Sequence, residues 1–166
     1  NGARVLTADD DNSGSGAMTV DASLTASSID LDAGETIKIN ASITAGSTVA
    51  VDATGTTTIA AAGDINASGS VTFGANKSGT LTTSGDIDTS NDNVTFNRAV
   101  TLGGAVDIDT NTGAGNIVFN STVATGDKNL SLDAGASGNI TVSGSLTGGG
   151  AFTVRDGAVQ SYQALT

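Results

Sequence analysis

The residues in this chain that could do chemistry are almost all aspartates. Asp9-Asp10-Asp11-Asn12-Ser13-Gly14 carries oxygen ligands at alternate positions ahead of a glycine. That is how an EF-hand-like calcium loop opens, with hard oxygens for a hard cation. Asp9, Asp11 and Ser13 are the candidate ligands, and calcium is the cation. The bidentate Glu expected twelve positions in is replaced by Val20. Two readings therefore stand, a calcium loop and a solvated acidic turn. Asp107-Ile108-Asp109-Thr110-Asn111 is a weaker match of the same kind. There Asp107 is expected to face outward and Asp109 to begin a turn.

Other chemistries are excluded by residue type. The chain has no His and no Cys. Zinc sites and His- or Cys-based nucleophilic triads cannot be built without them. Glycoside hydrolysis needs converging carboxylates. The six basic residues are Arg4, Lys38, Lys77, Arg98, Lys128 and Arg155, and they are scattered. No cofactor is required by any pattern seen. The chain is expected not to be an enzyme. A net charge of −11 argues against nucleic-acid partners, whose phosphates need clustered basic groups. No apolar run approaches the 18 residues of a membrane span, so no membrane insertion is expected.

The elements that must position these residues are short strands. Thr, Ser, Asn, Asp and Gly dominate, and all are poor inside helices. What recurs is an apolar-x-apolar triplet between turn residues, the pattern of a strand with one buried face. Val71-Thr72-Phe73, Val94-Thr95-Phe96, Ile117-Val118-Phe119 and Ile140-Thr141-Val142 start 23 residues apart. Val49-Ala50-Val51 lies 22 before them and Ile29-Asp30-Leu31 a further 20. Val5-Leu6-Thr7 lies where a still earlier copy belongs. A fixed period of this size marks a solenoid.

Each period holds two further strand positions. Val100, Val123 and Leu146 share a second face, with Ile37-Lys38-Ile39, Ile59 and Leu81 assigned to it earlier in the chain. Val106-Asp107-Ile108, Leu130-Ser131-Leu132 and Phe152-Thr153-Val154 share a third, with Ile43, Ile65 and Ile87. The expected fold is all-β: a right-handed parallel β-helix over residues 1–166, one domain of about seven three-strand coils without capping elements. Phe73, Phe96 and Phe119 should then form an internal ladder. The shorter early periods predict tighter or rearranged corners. The absence of Pro fits strands whose every N–H is needed.

The texture of Gly85-Asp86-Ile87-Asp88-Thr89, Gly115-Asn116-Ile117-Val118-Phe119 and Gly138-Asn139-Ile140-Thr141-Val142 resembles filamentous-haemagglutinin-type repeats of large bacterial adhesins. So does the close, Val159-Gln160-Ser161-Tyr162-Gln163-Ala164-Leu165. The resemblance implies export, an extracellular or cell-surface location, and work as a structural or adhesive module of a fibre. The expected partners are adjoining coils of the same chain or copies stacked head to tail, with an unknown surface ligand. The alternative is a carbohydrate-binding or carbohydrate-cleaving β-helix. A third reading, an ice- or mineral-binding surface, predicts a flat face with regular Thr or Asp rows.

Overall fold

The computed structural model of the chain describes residues 2–8, 16–75 and 79–165, with side chains to Tyr162. Among these residues there are 21 strands and no helix. The first coil is β1 (Arg4–Thr7), β2 (Met18–Val20) and β3 (Leu24–Ala26). The second is β4 (Ile29–Ala33), β5 (Ile37–Ile39) and β6 (Ile43–Ala45). The third is β7 (Val49–Ala53), β8 (Thr57–Ile59) and β9 (Ile65–Ala67). The fourth is β10 (Val71–Phe73), β11 (Leu81–Thr83) and β12 (Ile87–Thr89). The fifth is β13 (Val94–Phe96), β14 (Val100–Leu102) and β15 (Val106–Asp109). The sixth is β16 (Ile117–Phe119), β17 (Val123–Gly126) and β18 (Leu130–Asp133). In the seventh, β19 (Asn139–Gly148) covers the first and second faces and β20 (Phe152–Asp156) the third. A last strand, β21 (Val159–Leu165), stacks on β19.

Each strand pairs in parallel with its equivalent one coil away. The first and second faces form one 14-stranded sheet because β19 runs through both, and the third face is a separate seven-stranded sheet. This is a parallel β-solenoid, with the three faces the spacing predicts. A parallel strand cannot satisfy its neighbour through a hairpin. The chain must travel round the other two faces first, which is why the partner lies about a coil away in sequence.

The core is a stack of like residues. Ile29, Val49, Val71, Val94, Ile117 and Ile140 form one inward column, all buried. Leu31, Val51, Phe73, Phe96, Phe119 and Val142 form the next. Burying such a side chain is worth about 1.5–3 kcal/mol, so each coil is held by the coils on either side of it. The Phe ladder is stacked, with ring centroids 5.1 Å and 4.5 Å apart and ring planes within 4°. The asparagine before the first-face strand has its own ladder outside. Asn116 donates through its backbone N–H to Asn93 Oδ1 (2.8 Å), and Asn139 does the same to Asn116 Oδ1 (2.9 Å).

One expectation needs correction. Val5 does not take the inward place in the first coil. Arg4 pairs with Ile29 and Leu6 with Leu31, so Val5 lies opposite Asp30 and is 68% exposed. A one-residue shift exchanges the faces of a strand, and here it keeps Leu6 on the core. The corners of the early coils are rearranged, one of the two outcomes their shorter periods predict. The corner after the third face is shorter early on: six residues from Ile43 to Val49, against nine from Ile108 to Ile117. The corner after the first face is wider: eight residues from Ile29 to Ile37 and from Val49 to Thr57, but six from Val94 to Val100. The early coils therefore have a different cross-section, not merely a smaller one.

Candidate functional site

The third face carries the most distinctive chemistry. Its strands each present two outward positions flanking an inward Ile or Leu. Stacking in register places Asp64, Asp86 and Asp107 in one outward column. It places Asn66, Asp88, Asp109 and Asp133 in the other. Equivalent atoms in adjacent strands lie about 4.8 Å apart. Between the third and sixth coils the face thus carries two rows of side-chain oxygens, and all of these residues but Asn66 are carboxylates. The first column is tied to the backbone. Asp86 N–H donates to Asp64 Oδ1 (2.9 Å) and Asp107 N–H to Asp86 Oδ1 (2.7 Å). An aspartate at this corner thereby caps an N–H of the next coil, which is a structural reason for its recurrence.

One cation sits on these rows. Arg155, in β20, reaches across two coils. Its Nη1 meets Asp107 Oδ2 (2.8 Å), Nη2 meets Asp109 Oδ2 (3.2 Å) and Nε meets Asp133 Oδ2 (3.3 Å). All four side chains are part exposed, so the contact is screened and modest in energy. Farther along the rows, burial pushes the Asp88 carboxyl above its ordinary value, and the negative charges of Asp109, Asp107, Asp86 and Asp64 push it the same way. Beside Arg155 an open groove of about 360 Å³ is lined by Asp86, Asp107, Asn129, Ser131 and Thr153, with Val106 and Leu130 at its base. Chemically this surface offers acceptors. It suits ammonium, guanidinium or hydroxyl groups, and it concentrates cations along the rod.

The sequence-predicted site residues fall as follows. Asp9, Asp11 and Ser13, the calcium candidates, lie outside the described residues. Asp107 and Asp109 do come together, as the alternation predicts, and both face outward. Their neighbour there is the guanidinium of Arg155. Asn111 has a left-handed backbone (φ 66°) and donates its N–H to Asp109 Oδ1 at 2.6 Å, an ordinary Asx turn. Among the described residues no group of three acidic side chains is placed to hold a metal ion.

Two features were missed in the sequence. The acidic double row is one. Its signal was present in Gly63-Asp64-Ile65, Gly85-Asp86-Ile87 and Val106-Asp107-Ile108, where the same Asp-Ile step recurs at three successive third-face strands. The second is a polar row on the second face. Thr58, Thr82 and Thr101 are stacked outward in register, with Lys38 before them and Ala124 after. Beside them Thr56 and Thr80 exchange a hydroxyl hydrogen bond of 3.2 Å.

Among the described residues the only buried charges are Arg98 and Asp52, a pair between the first and second faces. Arg98 Nη2 lies 2.9 Å from Asp52 Oδ1, and Nη1 donates to Thr57 Oγ1 at 3.2 Å. Burial lowers the Arg98 pKa, and the Asp52 carboxylate opposes that shift. Comparison with family models, curated proteins and solved structures finds no match to this chain.

Proposed function

We propose that the chain is a structural, load-bearing module of a bacterial extracellular or cell-surface fibre, serving as stalk or adhesive shaft. One observation carries the reading. Three faces of parallel strands stack in unbroken succession from the first described coil to the last. Every strand hydrogen bond in such a stack points along the axis. Tension along the rod is therefore borne by three ladders at once, reinforced by the phenylalanine and asparagine ladders. The resemblance to filamentous-haemagglutinin-type repeats supports the same use. The acidic third face keeps the rod soluble and keeps parallel rods apart by like-charge repulsion. The work is mechanical and needs neither a catalytic residue nor a cofactor. The partners proposed are further coils in the same register, from this polypeptide or another copy.

Single-molecule stretching between the two ends tests this. A coil of about 23 residues releases about 78 Å of chain at roughly 3.4 Å per residue. Stepwise extensions in multiples of that length are expected. Smooth extension at low force, with no steps, would sink the load-bearing reading.

A further inference from the structure

The solenoid changes cross-section in mid-rod, and one side chain sits at the change. In the second and third coils the corner after the first face is wide. Ala33 and Ala53 fill it, both fully buried. In the fifth, sixth and seventh coils the chain cuts directly across, through Asn97-Arg98-Ala99, Asn120-Ser121-Thr122 and Ser143-Gly144-Ser145. The fourth coil follows neither path. Gly74 N–H still meets Val51 O (3.0 Å) and Gly79 N–H meets Ala53 O (3.3 Å), yet Leu81 lies ten positions after Val71.

Beside Gly74 the fourth coil admits a side chain from the coil above. Arg98 belongs to the fifth coil, yet its guanidinium ends on Asp52 and Thr57 of the third. It thus spans the level of the fourth coil. Arg98 is 3% exposed, Asp52 5% and Thr57 0%. The fourth coil makes room for it. Gly74 has φ +73°, and a Cβ there would stand 2.5 Å from Arg98 Nε. The equivalent corner residues in the next two coils, Ser121 and Gly144, are small.

We propose that Arg98 is the register lock of this junction. It crosses the level of the fourth coil beside Gly74, and its fork onto Asp52 and Thr57 fixes how the narrow coils stack on the wide ones. A sheet of alternating in and out residues can slip by two positions and keep its apolar face inward. Val71-Thr72-Phe73 and Val94-Thr95-Phe96 guard weakly against such a slip, because both ends of the triplet are apolar. A buried guanidinium with two acceptors two coils away does not tolerate it. A buried polar contact that selects one register among several is the best-attested use of such pairs. Arginine suits this place better than lysine because its planar fork serves two acceptors at once.

The test is a cysteine register assay. Thr72→Cys with Thr95→Cys reports the native stacking of the fourth and fifth coils. Thr72→Cys with Asn93→Cys or Asn97→Cys reports a two-residue slip. Each pair is oxidised in the wild-type background, in Arg98→Met and in Arg98→Lys. The expected result is cross-linking of the native pair alone in the wild type. In Arg98→Met the slipped pairs should rise at least tenfold, and in Arg98→Lys by less. A fall in denaturation midpoint for Arg98→Met with an unchanged cross-linking pattern would make Arg98 a stabilising residue only and would overturn the lock. If Arg98→Met does not fold, the double variant Arg98→Met with Asp52→Leu removes the stranded charge and decides the matter. Slipped cross-links there support the lock, and a purely native pattern overturns it.

Discussion

Truncating Phe96 should cost more than truncating either of its stacked neighbours. Phe96 lies between Phe73 and Phe119, at 5.1 Å and 4.5 Å, and all three rings are buried. Removing a buried Phe side chain to Ala costs about 3–5 kcal/mol through lost burial and the cavity left behind. Stacked aromatic pairs add about 0.5–1.5 kcal/mol each. Phe96→Ala loses two such pairs. Phe73→Ala loses one, because its other neighbour is Val51, and Phe119→Ala loses one, because its other neighbour is Val142. Phe96→Ala should therefore exceed either end variant by about 0.5–1.5 kcal/mol. Equilibrium urea denaturation followed by far-UV circular dichroism measures the difference. Native-state hydrogen exchange on the same variants shows whether the loss is confined to the coils on either side. A cost for Phe96→Ala no greater than for Phe73→Ala would refute the reasoning, because the rings would then be packing independently.

Three further outcomes are expected. Asp52→Asn leaves the Arg98 charge buried beside a neutral amide, and removing one partner of a buried pair costs about 3–5 kcal/mol; chemical denaturation reads this directly. Mild acidification should stabilise the rod through Asp88, whose pKa in the folded chain is raised above 3.8 by burial and by the neighbouring carboxylates. The folded state then holds the extra proton, so this contribution grows as pH falls through the folded value and levels off below 3.8; thermal melts of the wild type and Asp88→Asn across mildly acidic pH compare it, with the variant showing the weaker dependence. Asn116→Ala removes the links of Asn116 Oδ1 to Asn139 N–H and of its Nδ2 to Asn93 Oδ1, and should cost about 1 kcal/mol in the same denaturation assay.

The coil was legible in the sequence because burial acts on it directly. Val71, Val94, Ile117 and Ile140 repeat at one spacing, since each must meet the same column. Legibility failed at the first coil, where the position paired with Ile29 is held by Arg4, an exposed residue that no apolar pattern can select. The acidic rows were visible as residues but not as rows. Their alignment depends on third-face registers of 22 and 21 residues, set by corners whose lengths vary. Arg98 was the least legible. An isolated arginine between two strands reads as a surface residue, and its partner lies 46 positions earlier. Only the change in corner width between the third and fifth coils gives it a buried place. The calcium candidates Asp9, Asp11 and Ser13 were singled out by local spacing alone, and they fall outside the described residues.

The central claim is that this solenoid is the shaft of a fibre outside the cell. Immunogold electron microscopy of the producing cells, with antibody raised against this chain, tests it most directly. Gold aligned along thin filaments beyond the outer surface is the predicted result. Label confined to the cell interior, or on isolated compact particles, would contradict it.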